Sequence, residues 1–331
     1  MKKRFLYIDA LRGFCMILII ILHTHLKIIN YDINKMMMNM ELPLFFFVSG
    51  FFFNRYGSFR EFFVKKVNQL VVPYFFFSFV PLCLFSFLYT DRYADPLFYI
   101  LAPVKPWNTP LWFLRTLFFT YLLYYVIDKY CENKPLWLKI CVIVFSVAVA
   151  QCINLEYKRI KDAYPLLSES SFMIDNMITS VVSLPYFFIA HQIKKRGWLE
   201  FKFSWGMTVL LMSVLLFVAY LSRQNHFYYY GAMFGENFFL GYISAISSIL
   251  AWGIFLAKFK YTSILQYFGK NSLIVLGCHA VPIIIIFENQ WLSRINTFYI
   301  TFFLMFPCVW FFKKYFPKFT AQEELFELRK A

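Results

Sequence analysis

Tyr7-Ile8-Asp9-Ala10-Leu11-Arg12-Gly13-Phe14-Cys15-Met16-Ile17-Leu18-Ile19-Ile20-Ile21-Leu22-His23 opens the first long apolar run of the chain. Such a run approaches the ~20 residues a helix needs to cross the ~30 Å hydrocarbon layer. Ionisable groups in that layer cost roughly 2.5–3.5 kcal/mol each on insertion scales, so they are functional candidates by default. At ~100° per residue, the steps from Arg12 to His23 turn through ~1100°, close to three full turns, and Asp9 falls on the same face. The rise between Arg12 and His23 is ~16 Å. The spacing predicts a membrane helix with a polar stripe, Arg12 near one edge and His23 deep in the protein. The small Gly13 beside them allows another helix or a ligand to come close. His25, about 200° from His23, lies off the stripe. The stripe has two readings, a reactive site or a snorkelling arginine with a structural histidine. Histidine suits general-base work because its ordinary pKa of ~6.5 lies near operating pH.

Outward from this run the same pattern repeats. The 331 residues are 60% hydrophobic, 23% aromatic and only 15% charged. A soluble domain averages about 45–50% apolar and about 25% charged. The chain is therefore expected to be an all-α membrane protein. We place ten spans, at 10–29, 42–54, 71–89, 111–127, 136–153, 176–193, 205–222, 234–257, 272–288 and 298–312. With both termini in the cytoplasm, 22 of the 33 basic residues fall inside and nine outside, leaving Arg12 and Arg115 in or beside spans. That bias follows the positive-inside rule and accounts for the net charge of +15 without nucleic acid. The seven cysteines form no C-x2-C pair and suggest neither a metal site nor a disulfide framework. Met-Lys-Lys-Arg before an apolar run superficially resembles a signal peptide, but Arg12, His23 and His25 interrupt the run, so a retained helix is expected.

No repeat or soluble domain is visible, so residues 1–331 read as one transmembrane domain. Within it, residues 58–70 carry Phe59, Phe62, Phe63, Val67 and Leu70 on a helical stripe, with Arg60, Lys65 and Lys66 on other faces. This predicts a cytoplasmic interfacial amphipathic helix ending before Pro73. The second span is short as placed and either starts at 42 or extends back through residues 36–40. Pro43 and Gly50 weaken it, so Ser49 sits either beside a ligand path or at a packed kink. Trp112, opening the fourth span, is either an interface anchor or a site residue. Glu236, His279 and His191 are further polar groups in or near spans, able to complete a polar cavity or to serve as structural hydrogen-bonding residues.

The series Tyr7 to Gly13 with His23 after ten intervening residues, then Pro43 to Gly50, Pro73-Tyr74, Leu111-Trp112-Phe113-Leu114, Gly269 to Leu273 and His279, resembles the acyltransferase-3 family of membrane O-acyltransferases. The resemblance implies transfer of an acyl group, usually acetyl, from cytoplasmic acetyl-CoA or another acyl-CoA to a hydroxyl. The implied acceptor is a cell-surface polysaccharide or lipid-linked sugar at the cell membrane, with glycan-assembly proteins as possible partners. It implies His23 as general base or transient acyl carrier, Arg12 orienting the site or contacting the donor, and no resident cofactor or metal. Lys65 and Lys66 would pair with CoA phosphates, since lysine is a common phosphate binder. Asp9, Ser49, Trp112, Glu236 and His279 would support the site. The chain departs from the family's Arg-x-x-Arg pattern, because Gln69 follows Lys66. A transporter or flippase of a polysaccharide or lipid-linked glycan is the rival reading, and internal inverted repeats, which would favour it, are not visible.

Overall fold

The computed structural model describes residues 5–26, 31–88, 108–164, 172–197, 203–224, 229–234, 237–259, 262–290 and 292–327. The regular structure of these residues is all helical, with no strand among them. In chain order the helices are α1 (Leu6–His23), α2 (Tyr31–Phe51), α3 (Phe59–Lys66), α4 (Val72–Leu88), α5 (Trp112–Tyr130), α6 (Leu136–Ala163) and α7 (Phe172–Val182). They continue with α8 (Leu184–Lys195), α9 (Trp205–Leu221), α10 (Phe238–Leu256), α11 (Ser263–Lys270), α12 (Ser272–Cys278), α13 (Ala280–Glu288) and α14 (Arg294–Tyr315).

Among the described residues seven helices are long and apolar enough to cross a membrane, or eight if α11 and the helix after it, bent by 73°, form one span. Ten spans were expected. Of the others, α9 has only 17 residues, and α2 is long enough but less apolar. The chain is a multi-pass membrane protein. Its outer helices show how lipid replaces a packing partner: only 22% of the α6 and α14 windows is buried, against 67% for Met173–Lys195. Phe145, Phe303 and Trp310 accordingly lie exposed on α6 and α14.

Several expected boundaries move. The second span begins eleven residues earlier than read, at Tyr31 rather than 42, so Asn39 and Glu41 become mid-helix residues. Asn39 donates to Ser244 Oγ at 3.3 Å, and the Cys15 thiol donates to the Glu41 carbonyl at 2.9 Å. Helix α6 runs on to Ala163 through residues expected in a loop. The amphipathic segment is helical from Phe59, capped where Ser58 Oγ accepts from Glu61 N at 3.1 Å while the Glu61 carboxylate accepts from Gly57 N at 3.1 Å. It does not stop before Pro73. A π-helical turn, Val67–Val71, carries it into α4.

The bundle is organised around α1. Helix α11 crosses it where two glycines face each other. A Cβ on Gly13 would lie 1.7 Å from the Leu265 carbonyl oxygen, and one on Gly269 would lie 1.8 Å from the Asp9 carbonyl oxygen. Helix α2 returns antiparallel, with Phe51 edge-on to Phe5 at 5.2 Å. A Cβ on Gly50 would lie 2.1 Å from the Phe187 carbonyl oxygen, so α2 meets α8 at backbone contact. The expected break at Ser49-Gly50 is thus a tightly packed stretch of continuous helix.

Candidate active site

Helix α1 is unbroken from Leu6 to His23, so the stripe exists as the spacing predicts. Its termination is unusual. His25 has φ +50°, the left-handed conformation that normally belongs to glycine, and Leu26 N returns to the Ile21 carbonyl at 3.3 Å. His23 is therefore the last helical residue, poised just before a strained cap. Its side chain is exposed.

His23 Nδ1 lies 2.9 Å from His279 Nε2, with the two rings stacked. His279 is fully buried, and its Nδ1 lies 2.9 Å from the Val275 carbonyl. A carbonyl only accepts, so His279 Nδ1 carries the hydrogen. In the neutral pair His279 Nε2 is then an acceptor, and His23 Nδ1 must donate to it. That leaves His23 Nε2 with its lone pair, the state a general base requires. The backbone thus sets the tautomer of one histidine, which sets that of the next.

The segment bearing His279 is itself held. Buried Asn108 donates through Nδ2 to the Phe77 carbonyl at 3.1 Å and to the Gly277 carbonyl at 2.9 Å. It ties α4 to the last turn of α12, two residues before His279. Asn108 was not picked out from the sequence. The available signal was its place before Thr109–Leu111, the short helical turn leading into α5.

The other end of the stripe is electropositive. Arg12 lies over the Phe52 ring, 5.8 Å from its centre, and Lys194 lies 5.7 Å from the same ring. Lys66 is buried, donates to Gln69 Oε1 at 2.9 Å and sits 3.8 Å over the Tyr121 ring. The Tyr121 hydroxyl donates to the Ser49 carbonyl at 3.2 Å, which gives Ser49 a backbone role here. Gln69 thus orients Lys66. Lys65 points elsewhere, pairing with Glu61 at 2.8 Å and lying 4.0 Å over the Tyr56 ring.

Of the remaining expected site residues, Asp9 is buried on α1 where its backbone meets Gly269. Trp112 is buried at the start of α5, edge-on to Phe113. Glu236 lies outside the described residues. His191 is joined to the Tyr124 hydroxyl at 2.7 Å, Nδ1 to oxygen. It lines a polar cavity of about 500 Å³ with Arg55, Lys139, Lys194 and Lys195, a cluster missed because those cations were absorbed into the topology count. The spacing of Tyr121, Tyr124, Tyr125 and Asp128 at i, i+3, i+4 and i+7 marks the polar face of α5 that leads to it.

The described helices thus bring a paired histidine to one end of α1 and cations to the other, in a bundle of apolar helices long enough to cross a membrane. The chain matches the acyltransferase-3 family, described as an acyltransferase domain, over residues 5–314 and belongs to it. It is a membrane acyltransferase. Neither curated proteins nor solved structures give a match to the chain.

Proposed function

We propose that the protein is an O-acyltransferase, moving an acyl group, most simply acetyl, from cytoplasmic acyl-CoA to a hydroxyl of a cell-surface polysaccharide or lipid-linked sugar. The observation that carries this reading is the His23–His279 pair. His23 Nε2 takes the proton of the acceptor hydroxyl as its oxygen attacks the thioester carbonyl. The new O–C bond forms, the C–S bond breaks, and the departing CoA thiolate takes the proton back. His279 holds the ring in place and favours the imidazolium that forms.

Arg12 does not act on the same carbonyl. Ten residues of unbroken helix separate it from His23, a rise of ~16 Å over eleven steps. It serves the donor's far end, and the acyl arm spans the interval along α1. In this reading the arginine end and both termini lie in the cytoplasm, in the plasma or bacterial inner membrane. His23 then faces the acceptor side.

The test is to delete the gene, identify the acyl esters lost from surface glycans by mass spectrometry, and restore them with the intact chain but not with His23→Ala at equal protein level. Full-length glycan trapped inside the cell, with its esters intact, would instead indicate an exporter.

A further inference from the structure

The second polar feature of the protein is the cavity of about 500 Å³ where four chain segments converge. Residues 53–56 after α2, the end of α5, the start of α6 and the end of α8 form its walls. Arg55, Lys139, Lys194 and Lys195 supply four cations, against the carboxylates of Asp128 and Glu132. The volume falls in the usual range for small-molecule sites, roughly 300–1,000 Å³.

Arg55 holds both carboxylates most closely. Arg55 grips Glu132 with both terminal nitrogens, Nη1 to Oε2 at 2.9 Å, and its Nε lies 3.4 Å from Asp128. This bond holds the Glu132 carboxyl below its usual range. Lys139 is 7% exposed yet reaches Asp128 only at 3.7 Å, beyond hydrogen-bond distance. The lining thus holds four cations against two carboxylates. A buried ammonium held at that distance gains from a nearer anion.

We propose that this cavity binds the phosphates of the donor's nucleotide end, the 3′-phosphorylated adenosine diphosphate of an acyl-CoA thioester. The assignment rests on the acyltransferase reading and adds a donor site that Lys65 and Lys66 alone do not provide. Continuity with the reactive stripe favours it. Lys194, lining the cavity, and Arg12, on the stripe, share the Phe52 ring. Lys65 lies over Tyr56 and Lys66 over Tyr121, which stacks on Phe53 at 6.4 Å. Tyr56 and Phe53 both line the cavity, so the two lysines stand behind its walls. A nucleotide held here directs its arm past Arg12 towards His23.

The test uses the full-length protein in nanodiscs of neutral phosphatidylcholine, titrated calorimetrically with CoA, 3′,5′-adenosine bisphosphate and S-acetylpantetheine. Replacing both Lys194→Gln and Lys195→Gln should raise the Kd of CoA and of the bisphosphate at least about tenfold, as for loss of charged contacts to a polyanion. It should leave S-acetylpantetheine unaffected. The paired Lys→Arg variant should keep the wild-type Kd within a few fold, which separates charge from misfolding. An unchanged Kd for CoA in the Gln variant would overturn the assignment while leaving the acyl-CoA reading intact. Failure of the wild type to bind CoA at all would overturn both. Loss of bisphosphate binding in discs containing phosphatidylglycerol would assign the cavity to a lipid headgroup and overturn the nucleotide assignment.

Discussion

His23 and His279 lie 256 positions apart in the chain, yet their rings stack with Nδ1 and Nε2 at 2.9 Å. The contact places an accessible histidine at the end of α1 against a fully buried one at the α12–α13 junction. Because the buried ring also bonds the Val275 carbonyl, the proton positions of the neutral pair follow from the backbone.

His279→Phe keeps the volume of the ring but removes the acceptor for His23 Nδ1. Loss of one such bond should lower kcat by about tenfold or more, since a net hydrogen bond contributes ~0.5–1.5 kcal/mol and ring orientation is lost with it. Its donor KM should change little, because the proposed donor-phosphate site lies at the other end of α1. A matching rise in KM with unchanged kcat would refute the positioning role. The kinetics are to be read as ester formation in isolated membranes.

Asn108→Leu should destabilise the protein and reduce activity together. Two buried carbonyls, of Phe77 and Gly277, would lose their donor. Each buried unsatisfied group costs about 1–3 kcal/mol. The melting temperature of the detergent-purified protein would fall. Full stability in this variant would show that Asn108 does not hold the His279 segment.

Gly269→Ala should prevent normal assembly, because its Cβ would overlap the Asp9 carbonyl oxygen at 1.8 Å. The contact is backbone and cannot swing away. Gly206→Ala provides the comparison, since nothing lies within 4 Å of its Cβ position. It should be neutral or stabilise by roughly 0.5–1 kcal/mol, the usual gain of Ala over Gly inside a helix. Size-exclusion profiles of the two proteins distinguish these outcomes.

Asn68→Ala should loosen the C-terminal tail. Asn68, inside the π-helical turn, accepts from Leu325 N at 3.1 Å and Phe326 N at 2.9 Å, and donates to the Phe326 carbonyl at 2.9 Å. Limited proteolysis should then cut after α14 faster than in the unaltered protein. Equal cutting rates would show that other contacts, such as Phe319 stacked on Phe76 at 5.2 Å, hold the tail.

The sequence made α1 legible because a single helical period carries both its apolar character and its polar stripe. Its end was not legible: His25 caps the helix in a conformation that its residue type does not announce. The start of α2 was only partly legible, as an extension back through residues 36–40, because Lys35, Asn39 and Glu41 look wrong for a span. The bonds from Asn39 to Ser244 and from Cys15 to the Glu41 carbonyl answer part of that polarity only in the folded bundle. Family resemblance named His279 as a supporting residue, while periodicity could not choose its partner across the chain. Lys139, Lys194 and Lys195 were obscured for another reason. A lysine that obeys the positive-inside rule looks the same in sequence whether it faces water or a phosphate.

The most direct measurement compares the ester content of surface glycans made with His23→Ala and with His25→Asn, at matched protein levels in the membrane. Asparagine tolerates the left-handed backbone at position 25 and leaves the His23–His279 pair in place. The account predicts that His23→Ala loses the esters and His25→Asn retains them, by mass spectrometry of the purified glycan. Esters undiminished in His23→Ala would contradict it.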